Sequence, residues 1–188
     1  MEALLTSFVG AALGEWGDKT QILVLALAAR YGRPLPILLG VFVAALANAL
    51  IAAWGGAFVH DMIRLDAATL LVGVALIFAG VTGLVRPRLH PSEGRAPLNP
   101  FLAAAGAFFV LELGDKTQFL TFAVAARYDA FLLAAGGATA GVLLSSIPAA
   151  VAGEALEKHV PLKAIRIAVG LLFLAAGLLV ALSARSLI

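Results

Sequence analysis

Six runs of apolar residues, each close to or longer than the roughly 20 that a helix needs to cross a bilayer core, constrain this chain more than any other feature. They cover residues 3–29, 35–59, 67–85, 101–126, 131–153 and 165–184. Polar stretches separate them: RYGRP, HDMIRLD, RPRLHPSEGRAPLNP, RYD and EKHVPLK. The chain is 62% hydrophobic and 13% charged, whereas soluble domains carry roughly 45–50% apolar and about 25% charged residues. Its mean hydropathy of +1.04 agrees, and the expected fold is an all-α polytopic membrane protein. A formal net charge of +2 with no long basic tract gives no footing for a nucleic-acid partner. The absence of cysteine excludes disulfides, zinc–thiolate sites and thiol chemistry. The opening MEALLTSF lacks a basic n-region, so the first apolar run is expected to stay as a helix rather than be cleaved.

Two of the runs contain charge at their centres. GEWGDKTQ occupies residues 14–21 and LELGDKTQ residues 111–118. The apolar pieces on either side of each octet are too short to span alone. A helix running through the octet, or broken at it, is needed to reach both faces, and either places the octets near the bilayer midplane.

An offset of 97 residues superposes the two octets and much else. Between residues 15–31 and 112–128, 12 of 17 positions are identical. Gly40 then meets Gly137, Asn48 meets Ser145, Gly73 meets Gly170 and Gly80 meets Gly177. Three runs make one repeat, so the expected organisation is residues 1–85, a linker at 86–100 and residues 101–188. Because three is odd, the second copy enters the membrane from the opposite side, giving six transmembrane helices as two inverted three-helix repeats. Loop charges orient them. Arg30, Arg33, Arg86, Arg88, Arg95, Lys158, Lys163 and Arg166 fall on one side, and Arg64, Arg127 and Arg185 on the other. The positive-inside rule puts the linker in the cytoplasm and both termini outside it.

A charge at the bilayer centre costs at least about 2.5–3.5 kcal/mol on insertion scales, so the octets must face one another or water. On a continuous helix Glu15 and Asp18 are i,i+3 and Glu15 and Lys19 are i,i+4, so the carboxylates share a face and the lysine can reach Glu15. Gln21 adds an amide oxygen on a neighbouring stripe, and Glu112, Asp115, Lys116 and Gln118 repeat the pattern. Four carboxylates against two ammonium groups leave −2, which one divalent cation or two protons neutralise. Carboxylates so crowded titrate as a coupled set. A site that holds either metal or protons is the thermodynamic basis of a cation/proton exchanger. Oxygen donors without cysteine suit hard ions, Ca²⁺, Mn²⁺ or Mg²⁺, and His60, His90 and His159 lie in loops, away from the octets. Asn48, Ser145 and Ser146 could supply further oxygens or simply join helices.

GDKT is not a phosphate-binding loop, lacking the spaced glycines and the Gly-Lys-Thr/Ser order. No loop residues pair a nucleophile with a base, which weighs against an enzyme.

With its duplicated Glu-x-Gly-Asp-Lys-Thr, the whole chain resembles the Gdt-type family of transmembrane protein 165. The resemblance implies exchange of Mn²⁺ or Ca²⁺ for H⁺, with Glu15, Asp18, Glu112 and Asp115 as the cation site. The short basic linker points to a prokaryotic inner-membrane protein. The expectation is an exporter of Mn²⁺ (and/or Ca²⁺) driven by H⁺, with no resident cofactor and with metal, protons and lipid as partners. A homodimer is an assembly such a chain can form. Gln21 and Gln118 are expected to complete or orient the metal shell with Thr20 and Thr117, and Lys19 and Lys116 to hold carboxylates apart. Two rivals remain, an exporter of small organic cations and a membrane scaffold whose octets are structural ion pairs.

Overall fold

The structure, a computed structural model, describes residues 1–85 and 99–185. The expected linker at 86–100 therefore lies almost wholly outside the described residues. The regular structure among them is helical: α1 Glu2–Gly14, α2 Lys19–Tyr31, α3 Pro34–His60, α4 Leu65–Leu84, α5 Pro100–Glu112, α6 Lys116–Tyr128, α7 Phe131–Ala152, α8 Glu154–His159 and α9 Leu162–Arg185. Among them α3, α4, α7 and the Leu162–Ala184 part of α9 are long and apolar enough to cross a membrane. At about 1.5 Å rise per residue, the 20 residues of α4 already match the hydrocarbon thickness. The chain is thus a polytopic α-helical membrane protein.

The two octet-bearing runs are not continuous helices. Each is two 13-residue helices, α1 then α2 and α5 then α6, with a break in the octet. Each broken pair follows one long helix. Gly40, near the start of α3, packs on Phe101 and Ala104 of α5, and Gly56, near its end, packs on Phe122 and Ala125 of α6. Likewise Gly137 and Gly141 of α7 pack on Leu4, Phe8 and Ala11 of α1, and Ser145, further along α7, accepts a hydrogen bond from Gln21 of α2. α4 and α9 run antiparallel, with Gly73 on Ala181 and Gly80 on Gly170 and Leu174.

These contacts recur at the 97-residue offset. Gly40 on Phe101 corresponds to Gly137 on Leu4, and Gly80 on Leu174 to Gly177 on Ile77. Each of these glycines comes close to the backbone of the facing helix, as suits helices that gain nothing by hiding apolar surface from lipid and associate by close van der Waals approach instead. The buried core is accordingly rich in alanine, while Leu35, Trp54, Phe58, Leu132 and Leu179 stand exposed at 62–71%, facing outward. His60, expected in a loop, is instead the half-buried last residue of α3, with Nδ1 2.7 Å from the Ala126 carbonyl oxygen.

Candidate metal centre

The break begins with glycine. Gly17 and Gly114 take φ of 72° and 75°, a left-handed conformation that glycine adopts without the strain a Cβ brings. Their freed N–H groups are caught by glutamines one turn on. Gly17 N donates to Gln21 Oε1 at 2.8 Å, and Gly114 N to Gln118 Oε1 at 2.5 Å. The amides' other ends tie each break to the neighbouring long helix. Gln21 Nε2 donates to the Ser145 carbonyl at 2.9 Å, and Gln118 Nε2 lies 3.4 Å from both the carbonyl and side-chain oxygens of Asn48. Asn48 Nδ2 in turn donates to the Phe109 carbonyl at 3.2 Å, and Ser145 Oγ to Val142 at 2.8 Å. Gln21, Gln118 and Asn48 are therefore engaged in joining helices, whereas the Ser145 hydroxyl stays within α7 and only its carbonyl takes part.

Glu15 caps the C-terminus of α1 and Glu112 ends α5, while Asp18 and Asp115 are the N-cap residues of α2 and α6. The glutamates thus sit at the negative ends of two helix dipoles, where a cation is favoured. The aspartates make no side-chain cap bond to their own helices, because their carboxylates are turned across to the opposite octet. Lys19 Nζ lies 2.9 Å from Asp115 Oδ1. Lys116 Nζ bonds Asp18 Oδ2 and lies 3.3 Å from Asp115 Oδ2. This corrects the expectation that each lysine reaches the glutamate of its own octet. That geometry needs a continuous helix, and the glycine turn removes it.

Oxygens of Glu15, Glu112 and Asp115 converge to within 4.8 Å of one another. Asp18, the fourth expected acid, is set beside them by Lys116. Glu15 and Glu112 are 1% and 2% exposed. The threonines of both octets serve Glu15, Thr20 donating to Oε2 and Thr117 to Oε1, the latter at 2.5 Å. Glu112 Oε2 is buried and has no hydrogen-bond partner among the described residues. Among the described residues neither glutamate joins a salt bridge.

Two cavities flank the centre. One of about 520 Å³ reaches Asp115, Gln118 and Gly114 between walls that include Phe78, Phe119 and Phe122. The other, about 690 Å³, lies beside α2 and the start of α9, and its walls include Gly17, Lys163 and Arg166. Gly17 is packed under Leu162 and Arg166, whereas its counterpart Gly114 has nothing within 4 Å of where a Cβ would stand. The aromatic lining and the Arg166 contact were not anticipated from sequence; the pairing of Gly17 with Gly114 marked the place but not what covers it.

No solved structure matches the chain. A protein of Vibrio cholerae serotype O1 named "Putative manganese exporter" is 38% identical over 175 residues, covering 93% of this chain and 88% of that protein. The family described as divalent cation/proton antiporter GDT1 matches at residues 3–90 and 100–187. The chain belongs to the GDT1 family, and its role is accordingly in cation transport and not in catalysis.

Proposed function

We propose that this protein exchanges Mn²⁺ (and/or Ca²⁺) for H⁺ and exports the metal from the cytoplasm. The observation that carries this reading is the convergence of Glu15, Glu112 and Asp115, with one glutamate oxygen buried and unpartnered. A buried acceptor left bare is costly, and a metal ion or a proton relieves it. A scaffold of structural ion pairs explains the lysine–aspartate contacts but not two buried glutamates outside them. Hard oxygen donors favour Mn²⁺ or Ca²⁺, and the name of the Vibrio relative favours Mn²⁺.

In this reading Glu15, Glu112 and Asp115 hold metal and protons in alternation, with Asp18, the fourth acid of the octets, beside them on Lys116. Thr20 and Thr117 orient Glu15. Gln21 and Gln118, with Asn48 and Ser145, fix the two breaks against α3 and α7, while Lys19 and Lys116 keep the aspartates apart. Each broken pair of half-helices makes one crossing, so that residues 1–85 and 101–188 are inverted three-helix repeats joined by a cytoplasmic linker at 86–100. The exchanged contacts at the 97-residue offset support this, as do family matches that begin and end 97 residues apart. The protein would lie in the cell's inner membrane with both termini outside the cytoplasm.

The test is reconstitution in liposomes with metal- and pH-sensitive dyes. Mn²⁺ moving one way should drive H⁺ the other, and Glu112→Gln should abolish both fluxes. Metal flux with no proton flux would make the protein a uniporter. Proton flux driven by small amines but not by metals would favour the organic-cation rival.

A further inference from the structure

The octet lysines hold equivalent sequence positions but not equivalent places. Lys116 is 4% exposed and lies between aspartates of both octets, whereas Lys19 is 29% exposed and among the described residues pairs with Asp115 alone. Asp115 is the shared element, since it accepts from both ammonium groups and also belongs to the converging trio. A cation entering the trio therefore meets Asp115 already committed to a buried positive charge. Two like charges at that range, away from water, repel strongly, and one must withdraw.

We propose that the Lys116 ammonium is an internal counter-ion, occupying the place between Asp18 and Asp115 in the empty carrier and displaced from Asp115 as a divalent cation binds. This rests on the trio being the cargo site. Asp18 then has a distinct part to play. It is bonded to Lys116 and stands outside the trio, so it keeps the ammonium neutralised after displacement. Gly14 presents no side chain to the lysine stem, whose Cε lies 3.7 Å from where a Cβ would stand, so the stem borders a gap about the size of one methyl group. When metal leaves, the ammonium returns to Asp115 and opposes rebinding.

A structural lysine and a competing one differ in sign. If Lys116 only holds the site together, removing it weakens metal binding. If it competes, removing it strengthens binding. The experiment is Mn²⁺ titration by calorimetry of the purified full-length protein, comparing wild type, Lys116→Gln and Lys19→Gln. Lys116→Gln should bind at least tenfold tighter than wild type, and Lys19→Gln should gain less. Because Lys116→Gln leaves Asp18 uncompensated and could misfold, while Asp115 keeps Lys19, Asp18→Asn and Lys116→Gln/Asp18→Asn form a second pair. The double variant should bind tighter than Asp18→Asn. Unchanged or weaker binding on losing Lys116, in whichever pair is folded, would overturn the proposal while leaving the cargo site standing. No Mn²⁺ binding by wild type would instead remove the cargo-site reading beneath it.

Discussion

At the scale of single residues, Glu15 and Glu112 show how one motif can be read twice with different results. Both are buried at the end of a half-helix. Glu15 has a hydroxyl on each oxygen, whereas Glu112 keeps a bare one. An unsatisfied buried group costs about 1–3 kcal/mol, which would be selected against unless the oxygen had another task. Glu15→Gln and Glu112→Gln should each bring Mn²⁺ transport down to the level of empty liposomes, since an amide keeps the shape but loses the negative charge. The variants should remain monodisperse in detergent by size-exclusion chromatography. Wild-type flux in either would remove that residue from the site. The four acids were legible in the sequence because charge inside an apolar run demands a reason. Their partners were not. The i,i+4 rule put Lys19 on Glu15, but it fails wherever a positive-φ glycine intervenes, and glycine within a membrane helix does not announce its φ.

At the scale of elements, the half-helices and the glycine seams do the positioning. A run broken at its centre was one of two arrangements the sequence allowed, and the structure has the broken one. What decided it was Gly17 and Gly114 with the glutamine four residues on, a pairing whose meaning emerges only with the hydrogen bonds in view. Adjacent glycines of α7 test the seam. A Cβ at Gly137 would collide with the Leu4 carbonyl, whereas one at Gly136 meets nothing within 4 Å. Gly137→Ala should destabilise the detergent-solubilised protein by about 1–3 kcal/mol through forced separation of α7 from α1. Gly136→Ala should be neutral or stabilising by up to about 1 kcal/mol through helix propensity. Thermal unfolding of both variants is the check, and equal melting temperatures would contradict the close packing.

At the scale of the whole molecule, the 97-residue offset visible in the sequence reappears as exchanged contacts, so that α3 on α5 and α7 on α1 share one packing, although Gly56 packs on α6 and its counterpart Gly153 meets nothing within 4 Å. The sequence could not say which helices would pair across the copies, because its spacing encodes equivalence and not adjacency. Orientation rests on the loop charges. Leu35 and Met62, 66% and 65% exposed, flank the two ends of α3. Met62→Cys should react with an impermeant thiol reagent in spheroplasts, and Leu35→Cys only after the membrane is opened. The chain's lack of cysteine makes the background clean. The reverse pattern would reverse the proposed direction of transport.

Competition between metal and protons for one carboxylate cluster is the central claim, and linkage makes it measurable without a membrane. If protons occupy the site that metal takes, binding must release them, and apparent affinity must fall as pH is lowered. Calorimetric titration of Mn²⁺ into the purified protein, in buffers of different ionisation enthalpy, counts the protons released. A count above zero near neutral pH, reduced in Glu112→Gln, is the predicted result. Tight Mn²⁺ binding with no proton release at any pH near neutrality would contradict exchange at this site.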